Sequence, residues 1–281
     1  MFQSVFRPDL FAGQVVIVTG GGTGIGRAIA HELASLGATV ALGSRDVDKP
    51  QAVKAEIEAA GGRALAGECN IRDRESVAKF VRGVLDQTGR IDGLVNNGGG
   101  QYMTPAHLIS PKGWQAVIDT NLTGTWNITQ QVMLEYMQDH GGAVVNITME
   151  NSRGYPGMAH SGAARAGVEN LTKSLAVEWS RFGIRVNSVA PGLINSSGLL
   201  NYPEEIQAQV GEFVKFTPAK RLGSESEVSS MVAFLLCPAA SFVSGQTIWV
   251  DGAGSLWSMP YPLEDHTAWP TAYEGFSSEG D

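Results

Sequence analysis

The stretch VVIVTGGGTGIGRAIAHELASLG, residues 15–37, constrains the fold more than any other part of the chain. Residues 15–19 are β-branched throughout and read as a buried strand. Glycines at 20, 21, 22, 24 and 26 leave no room for another element before apolar residues begin to recur at helical spacing, and Gly37 stops that pattern. A strand that turns this sharply into a helix folds the helix back onto its own sheet, which opens a β-α-β unit. Missing side chains permit positive φ and let a ligand approach the backbone. Gly20, Gly24 and Gly26 are the spaced glycines, although the strict G-x-G-x-x-G fingerprint is absent. The helix start, with Thr23 and Ile25 beside these glycines, offers free N–H groups and a positive dipole end to an anion. The expected ligand is the pyrophosphate of a dinucleotide.

The strand-helix alternation continues. Strands are expected at 39–44, 63–70, 91–99, 142–148, 184–192 and 246–253. Helical patterns fall at 48–62, 72–89, about 110–140 and about 160–182. Alternation of this kind gives a mostly parallel sheet, and right-handed crossovers make it doubly wound. The expected fold class is therefore α/β: a single-domain, Rossmann-like, doubly wound parallel sheet with helices on both faces. The core spans about residues 12–255. Residues 193–220 look irregular and suit a substrate loop. The extension 256–281 is expected to pack on the body or on a neighbouring subunit.

The second strand ends in Ser44-Arg45. An acidic residue there would accept from a ribose 2′-OH, whereas an arginine suits a 2′-phosphate, so NADP(H) is the expected cofactor. A solvated Arg45 paired with Asp46 or Asp48 is the bland alternative. Asn70 and Ile71, after the third strand, can flank the adenine.

A net charge of -8 argues against nucleic acid as the main partner. No run of about 18 apolar residues predicts a membrane span. The start MFQSVFRPDLF lacks the pattern of a signal peptide. Cys69 and Cys237 have no metal-ligand spacing and read as reduced thiols of a cytoplasmic protein. His107 and His160 have no ligand-like companions, so no metal site is expected.

Further pieces coincide: NNGGG at 96–100, NLTGT at 121–125, APG at 190–192 and VDGAG at 250–254. With TGGGTGIG they resemble the short-chain dehydrogenase/reductase family over about residues 12–255. By that resemblance Asn97 and Gly98 line the cofactor cleft. Asn121 holds a water or helix carbonyl in a proton relay. Pro191, Gly192 and Ile194 approach the nicotinamide. The long helices around 110–140 and 160–182 lie where family members associate, which implies a homotetramer. The family's usual catalytic set is a serine followed about thirteen residues later by Tyr-x-x-x-Lys. Counting puts Thr148, Ser161 and Arg165 at those three places. NNGGGQ, HSGAARAGVENLTKSLAVEW, PAASFVSGQ and EDHTAWP are more similar to one branch: the peroxisomal trans-2-enoyl-CoA reductases and their bacterial relatives. The 2,4-dienoyl-CoA reductases also carry serine at the tyrosine place. Some bacterial relatives are assigned to terpene-alcohol or aldehyde oxidation.

The missing tyrosine selects among chemistries. Ketone reduction builds charge on the oxygen of the carbon that takes hydride, and a phenol of depressed pKa protonates it. Serine is too weak an acid, and arginine holds ribose hydroxyls and supplies a positive field but cannot shuttle a proton. In an enoyl thioester hydride adds at Cβ and charge flows to the thioester oxygen, where hydroxyl donors suffice. Thr148 and Ser161 are the expected donors, and an acyl-CoA the expected small-molecule substrate. Two alternatives stay open: an NAD(P)-linked alcohol or carbonyl oxidoreductase on apolar, terpenoid-like substrates, and a catalytically silent dinucleotide-binding protein.

Ser161 and Arg165 share a helix face at i and i+4. A literal Tyr-x-x-x-Lys search lands on Glu169 and Lys173, rotated by ~80°. Glu169 is expected to ion-pair with Arg165, and Lys173 to be surface. Glu150 reads as a solvated loop carboxylate, with proton supply as the alternative if burial raises its pKa. Tyr102 and Tyr155 read as packed loop aromatics, and Trp257 and Trp269 as packing residues. Leu199, Leu200, Phe213 and Phe216 can wall an acyl channel.

Overall fold

The computed structural model describes residues 4–199, 211–258 and 262–275; Leu200 therefore lies outside the described residues. Strands β1 (Val15–Thr19), β2 (Thr39–Ser44), β3 (Arg63–Glu68), β4 (Gly93–Asn96), β5 (Gly142–Ile147), β6 (Ile184–Pro191) and β9 (Thr247–Val250) form one sheet in the order β3-β2-β1-β4-β5-β6-β9. Every pairing is parallel. Two-residue strands β7 (Ile194–Asn195) and β8 (Gly223–Ser224) pair separately. Strand order reverses between β1 and β4, and the crevice at that switch point is where such sheets bind ligands.

Alternation along the strands distributes the core to two faces. Val16, Val18, Val40, Leu42, Val145 and Val189 pack with α1 (Gly24–Ser35), α2 (Asp48–Ala59) and α8 (Glu225–Leu236). Ile17, Ala41, Leu94, Val144 and Val186 pack with α3 (Arg74–Thr88), α5 (Gly124–Val132) and α7 (Ala159–Glu178). A polar ladder crosses the second face. Asn96 Nδ2 donates to Thr129 Oγ1 and Asn146 Oδ1, each at 2.7 Å, and Asn146 Nδ2 donates to Thr172 Oγ1 at 2.9 Å. These bonds fix β4 and β5 against α5 and α7, although the buried Asn96 Oδ1 has no partner among the described residues. Cys69 and Cys237 are buried and free, and burial pushes the Cys69 thiol up to about 12.

The long helical pattern is real but not regular. It comprises α4 (Pro111–Ile118), α5 and α6 (Gln138–His140), joined by π-helical turns Asp119–Thr123 and Met133–Met137. Helix α8 is absent from the sequence-based expectation. It lies against α1, where the fully buried Glu32 carboxylate accepts from Ser229 Oγ at 2.6 Å and Ser4 Oγ at 2.5 Å. Burial pushes the Glu32 pKa up.

Candidate functional site

Gly20 and Gly24 adopt φ of +64° and +56°, so the turn after β1 depends on glycine. A Cβ on Gly26 would lie 2.2 Å from the Gly20 carbonyl oxygen and 2.4 Å from Asn97 Nδ2. Thr23 starts α1 in extended backbone with no side-chain cap bond, whereas Asp73, Ser110 and Ser224 cap α3, α4 and α8. The first-turn N–H groups of α1 are left for an anion. Asn97 Nδ2 donates to the Thr19 and Gly20 carbonyls at 3.1 Å each, and Gly98 N donates to Thr19 Oγ1 at 2.9 Å. The ends of β1 and β4 are thus stitched under the turn. Ile71 packs between Gly98 and Gly124, while Asn70 accepts from Arg72 N and serves its own turn.

Arg45 is exposed at the end of β2 and forms no ion pair among the described residues. Asp46 faces Lys49 instead, at 3.9 Å, and the Lys49 stem lies against Gly22. Two cations therefore border the outer turn.

The loop Asn97–Gln101 touches most of the other predicted groups. Asn121, held in the first π-helical turn, donates from Nδ2 to Gly100 O at 2.8 Å and accepts from Gly100 N at 3.1 Å. Its side-chain partner is loop backbone, and its own carbonyl accepts from Thr125 Oγ1 at 2.8 Å. Arg165 Nη1 donates to Ile147 O at 2.6 Å, and its other nitrogen lies so close to Gly99 that a Cβ there would sit 2.2 Å away. Ser161 is fully buried and donates to Gln101 Oε1 at 2.8 Å. Pro191 O accepts from Glu150 N at 2.9 Å and Gly192 packs on Asp251, so the ends of β5, β6 and β9 close the other side. Ile194 lies beside them in β7, against Gly223.

Two expectations need correction. The Thr148 hydroxyl donates to Val189 O at 3.2 Å, and Met149 rather than Thr148 reaches Ser161, with its sulfur 3.6 Å from the hydroxyl. Side-chain alternation explains this: Thr148 continues the face of Val144 and Asn146, toward α7. Glu169 does not pair with Arg165. It lies beside Asn151 and Thr148, which favour its charged form, but burial is the larger effect and pushes its pKa up. Among the described residues Arg165 has no counter-ion and its Nε no partner, and burial lowers its pKa to about 10.

Residues 20–254 match the family described as enoyl-(acyl carrier protein) reductase. A probable 2,4-dienoyl-CoA reductase of Bacillus subtilis is 34% identical over 253 residues, covering 89% of this chain and 99% of that protein. The solved structure of a citronellol catabolism dehydrogenase from Pseudomonas aeruginosa is 46% identical, with a TM-score of 0.82 over 90% of this chain and 100% of that one. A levodione reductase structure is 34% identical with a TM-score of 0.82, covering 87% and 98%. The chain belongs to the short-chain dehydrogenase/reductase family. It is thus an NAD(P)-dependent oxidoreductase, and the glycine cradle and uncapped α1 fit the cofactor's pyrophosphate.

Within this short-chain dehydrogenase/reductase, Gln101 and Met149 are the neighbours of Ser161 that sequence reasoning missed. Gln101 had a signal, since it directly follows the glycines after β4. His160 is fully buried, accepts from Ser161 N at 2.9 Å through Nδ1, and meets the Tyr102 ring edge-on at 4.6 Å. Tyr102 is nevertheless 38% exposed, so the expected packed aromatic is held by one ring contact and not buried.

Proposed function

We propose that the protein is an NADPH-dependent reductase of the 2,3 double bond of trans-2-enoyl-CoA thioesters. The observation that carries this reading is the pairing of buried Ser161 with buried Arg165 one helical turn below. Arg165 has no carboxylate partner among the described residues and stays protonated at neutral pH, so it stabilises an anion without moving a proton. Ser161 is a neutral donor. Such a site stabilises negative charge on a thioester oxygen and is poorly suited to protonating a ketone oxygen.

When bound, the reduced nicotinamide supplies hydride to the enoyl Cβ. Gly20, Thr23, Gly24, Ile25 and Gly26 hold the pyrophosphate. Ile71, Asn97, Gly98, Pro191, Gly192 and Ile194 line the cleft, and Asn70 shapes the turn beside it. Asn121 fixes the loop that carries Gln101. Ser161, with Arg165 beneath it, takes up the developing enolate charge, and Cα then takes its proton from water. Thr148 joins these donors only if its hydroxyl leaves Val189.

The test is a substrate panel. Crotonyl-CoA and longer trans-2-enoyl-CoAs are expected to oxidise NADPH, and Ser161→Ala is expected to lower kcat about 10²-fold or more, as loss of an oxyanion donor does. NADPH consumption by ketones or aldehydes with none by enoyl-CoA sinks the reading. The similarity to the citronellol catabolism dehydrogenase favours a second reading, oxidation of an apolar alcohol or aldehyde. NAD(P)-linked turnover of citronellol-type alcohols with silent enoyl-CoAs would select it.

Arg45 and Lys49 support the choice of NADPH over NADH. Arg45→Ala is expected to weaken NADPH binding about tenfold or more, the value of a charge-assisted bond, and to leave NADH unchanged. Calorimetric titration of both nucleotides reads this directly; equal losses for both would refute it.

We further propose a homotetramer that uses the outer faces of α5 and α7. Leu134, in the turn after α5, and Val177, on α7, are exposed, 62% and 76%, beside a groove lined by Trp126, Trp179 and Phe182. A cytoplasmic location accords with two free thiols, and no described helix is long and apolar enough to cross a membrane.

A further inference from the structure

The family match ends at residue 254, yet the segment beyond it is tied into the loops around Ser161. Arg153, on the loop after β5, donates to Gly254 O at 3.0 Å and to Ser255 O at 2.6 Å and 3.2 Å. Trp257 meets the ring of Phe216 with centroids 6.1 Å apart. His266 Nε2 lies 2.9 Å from Pro218 O, and Asp265 pairs with Lys220 at 3.2 Å. Lys220 holds the left-handed φ of +55° and donates from Nζ to Lys215 O at 2.7 Å. Arg221 donates to Pro270 O at 3.1 Å and grips Glu227, which completes the capping box of α8. Ser224 Oγ donates to Tyr273 O at 2.5 Å, and Val5 N donates to the Tyr273 hydroxyl at 3.2 Å. Nearly every turn of residues 214–224 has a partner in residues 254–273.

A strained lysine backbone and a row of carbonyl contacts are not needed to complete the sheet, whose strands end at Val250. They fix one segment, and that segment carries Phe216. In a parallel sheet the loops after β4, β6 and β9 emerge at one edge, the edge that holds Ser161. Each of these connections exposes large apolar side chains: Met103 after β4, Phe213 and Phe216 after β6, Leu256 after β9. Exposed apolar groups rimming a polar reaction centre mark where an apolar ligand lies.

We propose that the C-terminal strap, residues 254–258 and 262–273, is a specificity element: it holds residues 214–224 so that Phe216, backed by Trp257, forms a wall for the apolar chain of the substrate beyond the reacting carbons. Asp265, His266 and Tyr273 are positioning residues in this scheme, since they act through the wall. The inference needs only an apolar chain on the substrate, which both readings of the function share.

The test uses the full-length protein with Trp257→Ala, the pair Asp265→Ala/His266→Ala, and wild type. Substrates are enoyl-CoAs of four and ten carbons. The ten-carbon to four-carbon ratio of kcat/KM is expected to fall about tenfold in both variants, through KM, with the four-carbon kcat retained. Amide exchange across 214–224 is expected to quicken in the double variant. Unchanged ratios, or equal losses on both chain lengths, overturn the proposal, because a merely structural strap lowers all activity alike. If wild type turns over no enoyl-CoA, the functional reading has failed separately. The strap is then judged by its exchange rates and by the same ratio with straight-chain alcohols; unchanged values there overturn it too.

Discussion

Arg165→Met is expected to lower kcat by about 10²–10³-fold and, at the same time, to raise the melting temperature of the cofactor-free protein. The two effects have one cause. Arg165 is only 7% exposed, and its one hydrogen bond among the described residues runs from Nη1 to Ile147 O. Desolvation without a counter-ion lowers its pKa to about 10 and burdens the folded state. Methionine has a similar length and no charge. An apolar group of similar size removes the cost of burying an uncompensated charge. Against that gain stands the unpaired Ile147 carbonyl, which accepts no other side chain. The balance favours the variant by a few degrees, at about 2–4 °C per kcal/mol for a chain near this size. What the variant loses is the fixed positive field under Ser161, which is useful only when negative charge forms on the substrate. Arg165→Lys is expected to recover little. An ammonium cannot reach Ile147 O and the Gly99 side of the pocket with one rigid fork. Differential scanning fluorimetry and single-turnover kinetics together decide the matter: wild-type kcat in the methionine variant, or a lower melting temperature, contradicts the argument.

The sheet was legible because its strands alternate with helices of clear period and its glycine turn has few structural solutions. Helix α8 was not, and its buried face says why. Ser226 and Ser229 are 0% and 1% exposed, and Glu225 is 4% exposed. They interrupt the apolar stripe that periodicity seeks, and Ser229 finds its partner in Glu32 on α1, a contact that only the fold creates. The site divides in the same way. Ser161 and Arg165 were named by the family resemblance, and helix spacing put them on one face. Thr148 was placed by counting back from the helix, but the intervening loop 148–158 sets which residue faces Ser161, and that is Met149. The orientation of Thr148 was recoverable from strand alternation. The fate of Glu169 was not, since Arg165 is drawn away from its i+4 neighbour by a carbonyl at the end of β5. Helical spacing names the candidates for an ion pair; the sheet beneath them decides between them.

Gly26→Ala is expected to be the most damaging single methyl group in the chain. Its Cβ would stand 2.2 Å from Gly20 O and 2.4 Å from Asn97 Nδ2. Neither neighbour can retreat. Gly20 N is bound to Gly43 O at 2.8 Å, and Asn97 Nδ2 is committed to the Thr19 and Gly20 carbonyls. Helix α1 cannot back away either, because Ala28, Ile29, Ala30 and Leu33 are fully buried on it. Overpacking of this kind costs about 1–3 kcal/mol of stability. The larger effect is on binding, since the turn must open where its N–H groups converge on the pyrophosphate. A loss of about 100-fold in NADPH affinity corresponds to about 2.7 kcal/mol, a modest demand for displaced contacts to a diphosphate. Gly83→Ala is the control: it lies within α3 with nothing inside 4 Å of the added Cβ. It is expected to stabilise by about 0.8–1 kcal/mol and leave NADPH affinity untouched. Titration calorimetry on both variants separates a general cost of adding a methyl from a specific one at the turn. Wild-type affinity in Gly26→Ala would mean that the dinucleotide does not sit on this turn, and with it the assignment of every cleft residue from Gly20 to Ile194 would fall.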